Sequence, residues 1–372
     1  MPDDANTPGE RRPPALTRGE AVVRLAAIGA IVLAVTGGFA YAGGWLTPAR
    51  LTPVRLVDTF EQVNGLHSGF RRNHAKGVCV AGFFESNGRG VRFSRAAVFV
   101  PGRVPVTGRF ALAGGQPYAA DAARTVRSLA LRFALPDGEE WRTGMNNIPV
   151  FAVSTPEGFY EQLAASRPDP ATGKPNPANM AAFLAHHPET VRAAALIRQQ
   201  AVSSGFDNAT YNSLDAFRFV DAGGDSIPVR WSMVSVQPFA PADANSSASS
   251  DGNYLFDALI ARIGQGKLQW HLIVTLGKPG DPTNDATLPW PADREQVDVG
   301  TLTIDRVEGE ADGPCRDINF DPLVLPAGIE PSDDPLLPAR SAAYSQSFTR
   351  RAGEVKEPSA VRTAAPGKGD AS

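Results

Sequence analysis

The sequence predicts an α+β fold, an antiparallel β-barrel with helices packed outside it, preceded by one apolar N-terminal helix. Three observations predict it. Apolar runs separated by Gly, Pro and Asn turns fill residues 77–154, helical periodicity takes over between 159 and 199, and strand-like runs return before a last helix. The 372 residues, with 36 glycines and 32 prolines, are ample for one large core with many turns.

Residues 1–20 are polar and Pro-rich and are expected to be disordered, and residues 1–24 form a basic tail. Leu25–Trp45 is 21 residues without a charge, long enough to cross a bilayer as one helix. Arg11, Arg12, Arg18 and Arg24 precede it, and only Arg50 and Arg55 follow closely, so the positive-inside bias leaves the tail cytoplasmic. The expected location is therefore a membrane anchor with the remaining chain extracytoplasmic, periplasmic in a Gram-negative bacterium. The small-residue pattern Ala40-Tyr41-Ala42 before Gly43 also fits a cleavage site, which would release a secreted protein.

Beyond the anchor, Leu51–Val63 reads as a short amphipathic helix. Strands are expected at Gly77–Glu85, Arg92–Val100, Arg109–Leu112, Val126–Leu135 and Pro149–Ser154. Helices follow at Phe159–Ala165, Pro177–His186 and Pro188–Gln199, the last two opening on proline. Strands return at Ala216–Val220, Ile227–Ser235, Gln269–Thr275 and Val299–Asp305, with a helix near Tyr254–Ile263 and a closing helix at Leu336–Arg350. Residues 353–372 have almost nothing to bury and are expected to be a disordered tail.

A net charge of −3 gives no basic field for nucleic acid. Two cysteines, Cys79 and Cys315, cannot supply a four-thiolate metal site, although an oxidising compartment would permit them to pair. HExxH, GxSxG, Walker A and strand-borne GxGxxG patterns are absent, and the His186-His187 pair reads as solvated. Three segments stand out instead. Arg71-Arg72-Asn73-His74-Ala75-Lys76-Gly77 sets guanidiniums and an imidazole at the entrance of an apolar strand, and Gly144-Met145-Asn146-Asn147-Ile148-Pro149-Val150-Phe151 has amides that open a strand. In the third, Arg340 and Tyr344 lie one helical turn apart, with Arg351 two turns further on. An arginine four residues before a tyrosine can lie beside the phenol and stabilise its phenolate.

Together, in this order and spacing, HAKG, GMNNIPVF and GIEPSDDPLLPARSAAY resemble the haem-containing catalase family, most of all its shorter catalase-related peroxidases, over residues 51–352. The resemblance implies a haem-binding core over residues 49–352, haem b as cofactor, and a peroxidase that reduces hydrogen peroxide or organic hydroperoxides through a ferryl intermediate. A small-molecule electron donor would complete the cycle. It further implies His74 and Asn146 as the distal catalytic pair, Phe151 and Phe159 as pocket aromatics and Tyr344 as the iron ligand beside Arg340. Arg71, Arg109 and Arg351 would hold the propionates, since guanidinium forks match carboxylates. Ala111 stands where typical members have a serine that bonds the distal histidine, and SAAYSQ departs from the usual residues around the tyrosine. Alternatives are a hydroperoxide-rearranging haem enzyme resembling allene oxide synthase, or a true catalase that disproportionates hydrogen peroxide.

Overall fold

The computed structural model describes residues 17–43, 45–46, 50–242 and 252–363. The chain divides into two units, Met1–Thr52 and Pro53–Ser372. The first holds α1, Arg18–Ala42, which starts from a reciprocal cap: Glu20 N donates to Thr17 Oγ1 at 3.3 Å and Thr17 N donates to the Glu20 carboxylate at 2.9 Å. This cap starts the helix upstream of the uncharged stretch, so residues 17–20, expected to be disordered, are ordered instead. Residues 1–16 lie outside the described residues. By length and composition α1 can cross a membrane, and a signal sequence has the same properties.

Among the described residues, the second unit is built on ten antiparallel strands: β1 Gly77–Ser86, β2 Gly102–Leu112, β3 Arg127–Ala134, β4 Glu140–Asn146, β5 Tyr211–Asn212, β6 Phe217–Val220, β7 Ser226–Ser235, β8 Leu268–Leu276, β9 Gln296–Glu308 and β10 Ile329–Pro331. They run β7-β5-β4-β3-β2-β1-β9-β8, and β8 pairs back onto β7, which closes the barrel, while β6 and β10 extend from β7. Alternation fills its interior, as in β8, where Leu268, Trp270, Leu272, Val274 and Leu276 are all buried. At the centre Phe133 stacks on Trp141 at 4.7 Å and Trp231 meets Trp141 edge-on at 5.1 Å. The Trp231 indole N–H, which would be costly to bury unpaired, donates to Thr143 Oγ1 at 3.1 Å.

Among the described residues, six α-helices accompany the barrel: α2 Pro53–Asn64, α3 Pro156–Ala165, α4 Pro177–His186, α5 Pro188–Gln199, α6 Tyr254–Gln265 and α7 Leu336–Ala352. α2 packs against α3 and α7. Arg350 of α7 ties it to Asp58 and Glu61 of α2, at 2.6 and 3.0 Å.

Several sequence expectations are corrected. Arg92–Val100 is not a strand but two short 3₁₀ turns, Arg89–Arg92 and Ala97–Phe99. Here Ser94 Oγ donates to Gly328 O and accepts from Ala96 N, a local pairing that competes with a ladder. Pro149–Ser154 is likewise irregular. The strand lies earlier, in β4, so Asn146 ends a strand rather than opening one. Residues 353–363 are not a loose tail: Val361 is buried, Glu354 pairs with Arg72, Gly309 N donates to Thr363 Oγ1 and Asn253 Nδ2 donates to Ala360 O. Residues 364–372 lie outside the described residues.

Candidate active site

On the outer face of β1–β4 the register lines up two cross-strand rows, Gly77, Ala111, Ser128 and Asn146 in one and Cys79, Arg109, Ala130 and Gly144 in the other. Ala111, Ser128, Ala130 and Gly144 are small, so the sheet forms a low floor, with Arg109 and Asn146 rising from it. A cavity lies over this floor. A Cβ added at Gly144 would come within 3.6 Å of Arg340 Nη2 and 3.7 Å of Tyr344 Oη, so the bare backbone faces that pair.

The walls come from helices. α7 presents one stripe, Leu336, Ala339, Arg340, Ala343, Tyr344, Ser347, Phe348 and Arg351, at the three- and four-residue spacing of a single helix face. The stripe is aimed by the start of α7, where Asp334 Oδ1 accepts from Leu336 N at 2.9 Å. α2 contributes Leu56, Val57 and Phe60. Phe159 of α3 stands 5.8 Å from both Phe60 and Phe151. Thr155 fixes the start of α3 by accepting from Gly158 N at 3.1 Å, and Pro156 begins its first turn.

His74 lies in the turn before β1 with φ +54°, in the left-handed region that is unfavourable for a residue with a Cβ. Asn73 holds it there, its Oδ1 accepting from His74 N and Gly114 N, both at 2.9 Å. His74 Nδ1 and Asn146 Oδ1 are buried and have no partner. Ala111 lines the cavity and offers no hydroxyl, and the Ser128 hydroxyl is spent on Met145 O at 3.0 Å. Burial pushes the His74 pKa down from 6.5 to about 3, and the charges of Arg109, Arg340 and Arg71 add to the shift. The imidazole is therefore neutral at ordinary pH.

That shift has a sign. Between pH 3 and 6.5 the unfolded chain binds a proton that folded His74 refuses, so this contribution to stability falls as pH drops through that window and levels off below it. Relative to His74→Phe, wild-type apoprotein should lose on the order of 1 kcal/mol per pH unit across the window. Urea midpoints measured for both proteins at a series of pH values would read this out.

Arg340 Nη1 donates to the carboxylate of Asp215, and Arg340 also hydrogen-bonds Tyr344. Burial works against the Arg340 charge, but Asp215 and Tyr344 outweigh it and raise its pKa above the usual arginine value. Behind them, burial and the nearby Asp215 charge lift the Asp334 carboxyl to about 7. Asp215 was missed in the sequence. The available signal was one acid flanked by Leu214 and Ala216 at the head of an apolar strand.

Arg71, Arg109 and Arg351 also line the cavity. They surround one buried carboxylate, Glu310, which accepts from Arg71 and Arg109. Burial and the neighbouring Arg109 charge push Arg71 well below the usual arginine value, and burial brings Arg351 to about 10. Three guanidiniums against one carboxylate suit an anion with more than one charge. With the small-residue floor, the orphaned His74 and Asn146 atoms and the arginine-backed tyrosine, the cavity fits a flat, dianionic group whose metal takes an anionic oxygen ligand. The structure brings every residue singled out from sequence, namely His74, Asn146, Arg71, Arg109, Phe151, Phe159, Arg340, Tyr344 and Arg351, to this cavity.

A family model described as Catalase matches residues 44–361. The chain is 38% identical over 329 residues to a catalase-related peroxidase of Synechococcus elongatus, covering 88% of this chain and 95% of that protein. It is 33% identical over 304 residues to a catalase-related peroxidase of Mycolicibacterium paratuberculosis, covering 82% and 96%. A solved bacterial catalase superposes with TM-score 0.69 at 21% identity, over 82% of this chain and 62% of that one. The chain thus spans under two thirds of that larger protein.

Proposed function

Because this chain belongs to the catalase family and is a haem peroxidase of that family, we propose that its cavity holds haem b and reduces hydrogen peroxide or an organic hydroperoxide, drawing electrons from a small-molecule donor. The carrying observation is one cavity that gathers the unpaired His74 and Asn146 atoms, the Arg340–Tyr344 pair and three arginines.

Tyr344 would hold the iron, with Arg340 donating to its oxygen. Arg71 and Arg351 would face the propionates. When bound, haem supplies a redox-active iron that takes two oxidising equivalents from the peroxide. Neutral His74 accepts a proton from the attacking peroxide and returns it to the departing oxygen, so it acts first as base and then as acid. Asn146 orients the peroxide by hydrogen bonding. Ala111 offers the His74 ring no side-chain hydroxyl, the anchor that repeated peroxide disproportionation would favour. Leu56, Val57, Phe60 and Phe159 give the cavity an apolar wall suited to organic hydroperoxides. Both features favour peroxidase over catalase activity. α1 and the Cys79–Cys315 disulfide support an anchored or exported protein in an oxidising compartment.

The test is haem reconstitution followed by parallel assays of donor oxidation and oxygen evolution with hydrogen peroxide and cumene hydroperoxide. The expected result is a Soret band and donor-dependent peroxide loss that exceeds oxygen evolution. No Soret band would sink the proposal, and donor-free conversion of a lipid hydroperoxide would favour the rearrangement reading.

A further inference from the structure

Glu310 is among the buried acids that the proposed mechanism leaves unused. Glu310 follows β9, is 7% exposed and does not line the cavity. Its carboxylate grips Arg109 through both oxygens, from Nε at 2.9 Å and Nη2 at 2.8 Å, and also accepts from Arg71. The other side of the Arg109 fork holds the distal turn: Nη1 donates to His74 O at 2.8 Å and Nη2 to Ala75 O at 3.1 Å. Most of the Arg109 donors are thereby committed to protein atoms, both carbonyls of the distal turn among them.

That backbone needs holding. A residue with a Cβ keeps a φ of +54° only when its surroundings over-determine it, and here Asn73 secures the amide side while Arg109 secures the carbonyl side. Glu310 is in turn fixed from behind. Cys315, on the same loop, is bonded to Cys79, and Cys79 stands directly beside Arg109 in the β1–β2 register. Arg71 Nη2 bonds the Cys315 and Ile318 carbonyls, both at 3.0 Å.

We propose that Glu310 is a positioning residue for the distal histidine: through Arg109 it fixes the carbonyls of His74 and Ala75 and so holds the imidazole ready for proton transfer. The proposal rests on the haem reading for part of its test. Hydrogen cyanide must leave its proton on a base as the anion binds ferric haem, so its association rate reports how well His74 is placed. Glu310→Gln keeps the shape but turns one acceptor into an NH₂ group facing a guanidinium. In ferric, haem-reconstituted protein, Glu310→Gln should slow cyanide association about tenfold or more, the usual scale for an outer-sphere partner. The rate should move toward that of His74→Ala, with the Soret band per chain unchanged and partial recovery in Glu310→Asp.

A Glu310→Gln rate equal to wild type overturns the proposal, even if thermal stability falls. Wild type that takes up no haem overturns the proposed function instead. The inference is then read in apoprotein by NMR, where the His74 ring resonances, assigned by their loss in His74→Ala, should shift or broaden in Glu310→Gln. Unchanged resonances overturn it. If Glu310→Gln does not fold by circular dichroism, Glu310→Asp carries the test: its cyanide association should fall between those of wild type and His74→Ala, and a wild-type rate overturns the proposal.

Discussion

Tyr344→Phe is expected to abolish ligation of the haem iron and to lower peroxide turnover by about a thousandfold or more, the scale seen when one essential group of a catalytic unit is removed. Phenylalanine keeps the ring and the helix face, so the helix and the cavity shape should survive. What disappears is the oxygen that Arg340 bonds. The other acid in the lining, Asp215, cannot easily replace it because its charge is already committed to Arg340. Absorption spectra of reconstituted wild type and variant, taken with the haem content of each, read the result directly. A variant with the wild-type spectrum would mean that the iron ligand lies elsewhere.

His74→Ala should lower kcat/KM for peroxide by roughly 10²–10⁴, the usual contribution of a positioned general acid–base, while leaving haem uptake intact. The effect should be large because His74 is buried and neutral, the form that can accept the proton of the peroxide. Asn146 would remain to orient the peroxide, so turnover should not vanish. The two substitutions separate cleanly, since one removes the spectrum and the other removes turnover with the spectrum preserved. Retention of full peroxide turnover by His74→Ala would exclude it as the proton carrier.

Elements whose apolar spacing was strong were legible in the sequence. Pro177–His186 and Pro188–Gln199 agree end to end with α4 and α5, and β8 departs by one residue at each end. β4 was missed because Thr143, Gly144 and Met145 dilute its alternation, although Trp141, Thr143 and Met145 do point into the core. β5 is two residues long and gives no period to read. Arg92–Val100 ends in an apolar run that reads as a strand, but Ser94 and the tight approach of Gly90 to Phe99 turn it instead. The residues that the structure gathers at the cavity were named in the sequence through their resemblance to a family. The acids Asp215 and Glu310 were not, because each acts on an arginine brought from far along the chain, and such pairs carry no local spacing. The register that makes a floor from Ala111, Ser128, Ala130 and Gly144 is equally invisible until four strands are aligned.

The disulfide spans 236 positions, and this separation sets an order of events during synthesis. Cys79 emerges early in β1, whereas its partner follows β9, the strand that pairs with both β1 and β8. For most of the time the ribosome is working, Cys79 is a lone thiol whose pairing partner has not yet been made. In the finished fold both cysteines are fully buried. An alkylating probe should therefore label Cys79 in stalled or truncated chains and fail to label the mature protein, which makes this thiol a built-in marker of whether translation reached the end of the barrel.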